Sequence, residues 1–233
     1  MAKARELPGG GRAVEVEPRR VPGWFERFAS SHGGVEETEL NPRNVRVVAA
    51  DGAVVEVDVP FGELPPPHGR QQGLAVTSLV EHLQTPRRIG LVLVRLGAHS
   101  VGIARGGEVE RSNTDRHLVH GRNKAGGWSQ QRFARRREGQ SQRSLASAAD
   151  AVAKTLLPEA AELDAVVLGG DKKALRALHE DARLTDFLAR AEPRVLDVPE
   201  PRRTVLDDAA QRAIAVEIAI YDPGTAKALD NGR

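Results

Sequence analysis

The chain contains no cysteine. That excludes a disulfide scaffold, a thiol nucleophile and a cysteine-held zinc, and it suits a reducing compartment. Aromatic residues make up only 3% of the 233 residues, so a core must be built mostly from Val, Leu, Ile and Ala. No window approaches the roughly 18 apolar residues that a membrane-spanning helix needs. No apolar run follows a basic start, as it would in a secretory leader. The expected setting is the cytoplasm, away from membranes. A Gly-x-Ser-x-Gly elbow is missing, which argues against a nucleophilic serine of the hydrolase type. Asp51 sits in a turn and Asp58 is isolated, so the clustered carboxylates of a Mg²⁺-dependent nuclease are missing too. Of the seven histidines, only His117 and His120 lie close in sequence, and the pair reads better as phosphate-facing than as metal ligands. No metal and no organic cofactor is expected.

What is present is concentrated. The net charge is only +2, but the charge is unevenly spread. Residues 116–143 hold eight of the 34 basic residues and a single acidic one, Glu138. That leaves 26 basic against 31 acidic residues elsewhere. A nearly neutral protein with one basic stripe carries the electrostatic footprint of a polyanion binder. Inside the stripe lies Ala125-Gly126-Gly127-Trp128-Ser129-Gln130-Gln131. Gly126 and Gly127 open backbone conformations closed to other residues. The glutamine amides offer donors and an acceptor and never ionise, so they can orient a water but cannot act as an ordinary general base.

With 40% apolar residues the chain can bury a core. Arg12–Glu17 alternates as a first strand. Pro18–Ser31 reads as a helix with Trp24, Phe25 and Phe28 on one face as a core anchor. Val45–Ala49 and Val54–Val59 flank Asp51-Gly52 as a hairpin. Pro60–Gly69 is a stiff loop, Val76–Leu83 a short helix, and Ile89–Leu96, His99–Ala104 and Glu108–Thr114 a strand meander. From about Gln130 the pattern is helical. Leu145, Ala148, Ala149, Val152 and Leu156 form one stripe, on a helix about 40 Å long with a bend expected at Gly139. Ala165–Leu168 and Arg194–Val198 are short strands. Leu168-Gly169-Gly170-Asp171-Lys172-Lys173 reads as a βα turn rather than a phosphate cradle, and Thr204–Asp207 as a capping box opening the last helix. No linker divides the sequence. The expected architecture is one α/β domain over 1–233, a mixed β-sheet covered by helices, with a loose start at 1–11, a glycine-rich loop at 116–131 and a polar tail at 225–233.

Gly126-Gly127, followed closely by Arg132-Phe133-Ala134-Arg135-Arg136-Arg137, resembles the central domain of archaeal and eukaryotic peptide release factors, whose hallmark is Gly-Gly-Gln and then Arg-Phe-Ala-Arg. The tip departs from that pattern, because Trp128 stands where those factors carry glutamine and Gln130 and Gln131 follow it. This altered tip is similar to the Vms-like release factors, and to their actinobacterial branch in particular. The resemblance implies hydrolysis of the ester between a nascent peptide and tRNA on the large ribosomal subunit, in ribosome rescue and quality control. It implies Gln130 as the catalytic glutamine on the Gly126-Gly127 loop, with Gln131 and Ser129 as neighbouring alternatives. Arg122, Lys124, Arg132, Arg135, Arg136 and Arg137 would then meet rRNA or tRNA phosphates, and Trp128 would either stack on a base or pack the loop against the domain. The partners implied are the large ribosomal subunit, rRNA and peptidyl-tRNA, for a monomeric, ribosome-associated protein. Two rivals keep the same basic helix: a ribosome- or RNA-binding factor without catalysis, and a nuclease acting near the tRNA 3′ end.

Overall fold

The computed structural model describes residues 4–7, 10–116 and 128–225, with backbone alone over 128–138. These residues fall into two compact units, one within 1–85 and 214–233, the other within 86–213. Each unit has its own sheet and its own apolar core, where the sequence pattern suggested one continuous sheet.

The first unit contains β1 (Arg5–Glu6), β2 (Arg12–Val16), α1 (Val21–Ser31), β3 (Val35–Leu40), β4 (Asn44–Ala49), β5 (Val54–Asp58), β6 (Gly69–Gln72), α2 (Thr77–Gln84) and, from the far end of the chain, β12 (Val216–Tyr221). Its strands run β1-β2-β12-β5-β4-β3-β6, antiparallel at every pairing. Pro22 sits in the first turn of α1, where its missing N–H costs no helical hydrogen bond. The helix buries Val21, Phe25 and Phe28, and the Trp24 ring stacks on Phe28 with centroids 5.8 Å apart. The aromatic cluster is thus a core anchor. The β4–β5 hairpin turns at Gly52, whose φ of 87° suits glycine, and the Asp51 carboxylate accepts the Ala53 N–H at 2.9 Å.

The second unit contains β7 (Arg88–Arg95), β8 (Ala98–Arg105), β9 (Glu108–Arg116), α3 (Trp128–Thr155), β10 (Ala165–Gly170), α4 (Lys172–His179), α5 (Thr185–Leu188), β11 (Ala191–Leu196) and α6 (Arg203–Ile214). The strand order is β11-β10-β7-β8-β9. β11, β10 and β7 are parallel, and β7, β8 and β9 are antiparallel, so the sheet is mixed. β7 and β8 are buried almost throughout, which explains their nearly unbroken apolar sequences: a strand covered on both faces has no polar side. On one face Val92, Val94, Val101 and Ile103 pack with Ala148, Ala149 and Val152 of α3 and with Leu175 and Leu178 of α4. On the other face Gly102 leaves room for Leu206 of α6, whose Cδ2 would lie 2.8 Å from any Cβ there.

The last helix starts two residues earlier than a capping box at Thr204 requires. Thr204 lies inside α6, and Asp207 takes an ion pair from Arg203 at 3.0 Å, four residues before it. That i, i+4 pair replaces the expected reciprocal cap. α3 runs through Gly139 as one element.

A charge network closes one end of the second sheet. Arg88 pairs with Glu110, Glu159 and Glu162, Arg105 with Glu110, and Arg111 with Glu159. Hydrogen bonds from Arg88 and Arg105 hold the Glu110 carboxyl below its ordinary value near 4.5. A carboxylate lowered in the folded state stabilises the fold above the ordinary carboxylate range, and that contribution is lost as pH falls through the lowered value. The expected result is a drop in Tm below about pH 4.5 that is partly flattened in Glu110→Gln. Parallel Tm-against-pH curves for the two proteins would contradict this.

Candidate RNA-facing site

The basic stripe joins two fixed elements of the second unit. β9 is the edge strand before it. Its polar sequence, Glu108-Val109-Glu110-Arg111-Ser112-Asn113-Thr114-Asp115-Arg116, suits an edge open to water on one side. Side chains pin it along its length. The Thr114 and Ser100 hydroxyls are 2.6 Å apart, Ser112 Oγ accepts from Arg203 Nη1 at 2.9 Å, and Arg116 Nε lies 2.7 Å from Glu200 Oε1. Arg116 pairs in register with Ala98, so it belongs to the strand and not to the loop.

α3 holds the stripe from Trp128 onward, so the backbone of Trp128, Ser129, Gln130 and Gln131 forms the first turn of a helix. The expected loop of 116–131 thus overlaps regular elements at both ends, Arg116 in β9 and Trp128–Gln131 in α3, and the stretch 117–127 lies outside the described residues. The physical reason is propensity: from Ser129 onward the sequence is rich in Gln, Arg and Ala, which extend a helix at little cost. The second half of α3 anchors it over β8 and β9, with Ser144, Ala148, Ala149 and Val152 buried and Leu156 buried one residue past its end. The small Ala148 and Ala149 side chains let the helix lie close to the sheet. Arg132, Arg135, Arg136 and Arg137 fall on the first half, at a spacing of i, i+3, i+4 and i+5. His117, His120, Arg122, Lys124, Gly126 and Gly127 lie outside the described residues, as does the tail beyond 225.

The second glycine pair has a different role. Gly170 ends β10 with φ of 110°, and Asp171 caps α4 by accepting the Lys173 N–H at 2.8 Å. A carboxylate thus already occupies the helix start, and the segment is a βα turn. Gly106-Gly107 is the β8–β9 turn. Among the described residues no group of three or more His, Asp or Glu is placed to hold a metal ion, and no helix is long and apolar enough to cross a membrane. Sequence reading passed over Ser100 and His99, both buried on β8, because polar residues inside an apolar run give no signal of their own.

Residues 87–219 match the family described as Actinobacteria/chloroflexi VLRF1 release factor. The match covers more than half of the chain and nearly all of its second unit, and the chain belongs to that family. Among solved structures, the archaeal translation termination factor aRF1 is 13% identical, aligning over 85% of this chain and 72% of its own with a TM-score of 0.41. Dom34 of S. cerevisiae is described as a translation termination-like factor involved in RNA quality control pathways and interacting with Hbs1. It is 9% identical over 91% of this chain and 69% of its own, with a TM-score of 0.35. Pelota of Archaeoglobus fulgidus is 12% identical over 91% and 65%, with a TM-score of 0.29. These are long but loose superpositions, and the family membership rests on the sequence match. No curated protein matches the chain.

Proposed function

We propose that the protein is a cytoplasmic, ribosome-associated peptidyl-tRNA hydrolase, which frees nascent peptides from tRNA on the large ribosomal subunit. One observation supports this most directly: the glycine pair and glutamines stand at the head of a helix whose far half is built into the core. Such a helix is anchored in the core at one end and carries the glutamines in the first turn of the other.

In the proposed reaction a water oxygen bonds to the ester carbonyl carbon, and the bond from that carbon to the tRNA ribose oxygen breaks. One water proton ends on the ribose oxygen, the other passes to solvent, and the peptide leaves as its carboxylate. The Gln130 amide orients the water. Backbone N–H groups in the first turn of α3 have no partner four residues back and suit the oxyanion that develops on the carbonyl. Catalysis of this kind is mostly positioning and charge stabilisation, with the remaining polar groups supplied by the ribosome and the tRNA ribose. The protein acts as a monomer without metal or organic cofactor. Arg122, Lys124, Arg132, Arg135, Arg136 and Arg137 hold RNA phosphates, a contact that positions without reading sequence, and Trp128 stacks on a base.

The reading is tested by following peptide release from large subunits that carry labelled peptidyl-tRNA. Its binding half has a separate test. Arg135→Glu with Arg136→Glu is expected to weaken ribosome co-sedimentation at physiological salt by about tenfold or more, because reversed charges repel the phosphates that the arginines hold. Unchanged co-sedimentation would remove these arginines from the interface.

A further inference from the structure

The helix α4 carries cations that the proposed function leaves unused. Its sequence is Lys-Lys-Ala-Leu-Arg-Ala-Leu-His. Ala174, Leu175 and Leu178 are buried, while Lys172, Lys173 and Arg176 are exposed. Other cations of this unit are held by carboxylates, among them Arg88, Arg105, Arg111, Arg116, Arg183 and Arg203. Lys172, Lys173 and Arg176 have no hydrogen-bond or ion-pair partner among the described residues.

Their position in the helix is also costly. Lys172 and Lys173 occupy the first turn of α4, where the helix dipole disfavours positive charge. Solubility alone would be served at lower cost by lysines near the other end of the helix. Two cations against the dipole, left without carboxylates, suit an anionic partner outside the chain.

Strand register fixes where they stand. Gly170 pairs with Val94, Val94 with His99 and His99 with Asp115. These four residues form a row across β10, β7, β8 and β9. At about 4.8 Å per strand the row spans about 14 Å. α4 therefore starts at the same end of the sheet at which β9 ends. α3 lies over β8 and β9, α4 lies over β10 and β7, and the two helices touch. The three cations thus stand on the helix next to the one that carries the arginine block.

We propose that Lys172, Lys173 and Arg176 form a second phosphate-binding surface, and that its occupant is the backbone of ribosomal RNA. The proposal rests on the ribosome-associated reading above. If the stretch before α3 addresses the acceptor end of tRNA, cations set three strands away face what encloses that end, which is ribosomal RNA. The site is made of side chains and not of the helix N-terminus, because Asp171 already caps α4.

The test is a triple variant, Lys172→Gln with Lys173→Gln and Arg176→Gln, in the full chain. All three side chains are exposed and two stand against the helix dipole, so a Tm equal to or slightly above that of wild type is expected and checks the fold. Binding to purified large ribosomal subunits and to free tRNA is measured across a series of salt concentrations. For subunits, the variant is expected to bind about tenfold more weakly at physiological salt, and the slope of log K against log salt to fall by about 2, as three lost phosphate contacts imply. Equal affinity and slope for variant and wild type would overturn the surface while leaving the hydrolase reading intact. A loss seen with tRNA and not with subunits would overturn the assignment to ribosomal RNA. Wild-type protein that binds no subunits at all would sink this proposal together with the reading beneath it.

Discussion

Gln130→Ala is expected to lower peptide release by a hundredfold to a thousandfold while leaving the fold and ribosome binding unchanged. The magnitude is that of removing one well-placed hydrogen-bond donor from a site where charge develops. Preservation of the fold follows from distance. Among the described residues, the first apolar side chain of α3 packed on the core is Leu145, fifteen residues further on, or about 22 Å along the helix axis. Preservation of binding follows from charge, since the amide is neutral and the arginines remain. Gln131→Ala in parallel separates the two glutamines. The proposed mechanism gives it the smaller loss, because Gln131 stands one residue closer to the arginine block. Release by Gln130→Ala at the wild-type rate would take this residue out of the reaction.

The largest effect on stability is expected at Gly170. A Cβ there would lie 2.1 Å from the carbonyl oxygen of Val94. The neighbouring Asp171 N–H donates to that same oxygen at 2.9 Å, so the backbone cannot retreat without losing a hydrogen bond. The φ of 110° adds strain for any side chain. Gly170→Ala should cost roughly 3–5 kcal/mol, the range of mutations that combine steric clash with a special backbone conformation. At this size that corresponds to a fall in Tm on the order of 10 °C. Gly34→Ala is the matched control: its φ is 107°, but nothing lies within 4 Å of the added Cβ, so its loss should be much smaller. Equal losses at the two positions would show that backbone strain and not the clash dominates.

The sequence was most readable where one local rule acts alone. The β4–β5 hairpin follows from Asp51-Gly52 between two β-branched runs, and α3 from an apolar stripe at helical spacing that the core then uses. β3 and β6 left little trace. β3 reads Val-Glu-Glu-Thr-Glu-Leu, and its buried Thr38 is satisfied by non-local bonds, donating to the Gly73 carbonyl at 2.7 Å and accepting from the Ala75 N–H at 3.1 Å. β6 is Gly-Arg-Gln-Gln, exposed throughout and held by pairing with β3, so it has no apolar periodicity to detect. The division into two units was hidden for a related reason. The chain passes between them near residues 85 and 213 without a Gly- or Ser-rich linker, and the final strand β12 returns to the first sheet from more than 150 residues away. At the candidate site, the basic stripe and its glycine pair were plain in the sequence. α3 starts two residues before the expected Gln130, because Trp128 and Ser129 read equally well as loop. The α4 cations give no signal in the sequence, since their meaning depends on strand register, which no local pattern encodes.

The central claim is that this chain hydrolyses the ester of peptidyl-tRNA on the large ribosomal subunit. Its most direct test incubates the protein with large subunits carrying labelled peptidyl-tRNA and resolves peptide and tRNA on one gel, beside Gln130→Ala. The account predicts free peptide together with full-length tRNA, and little of either with the variant. Shortened tRNA would contradict it in favour of a nuclease, and intact peptidyl-tRNA on subunits that hold the protein would contradict it in favour of a binding factor.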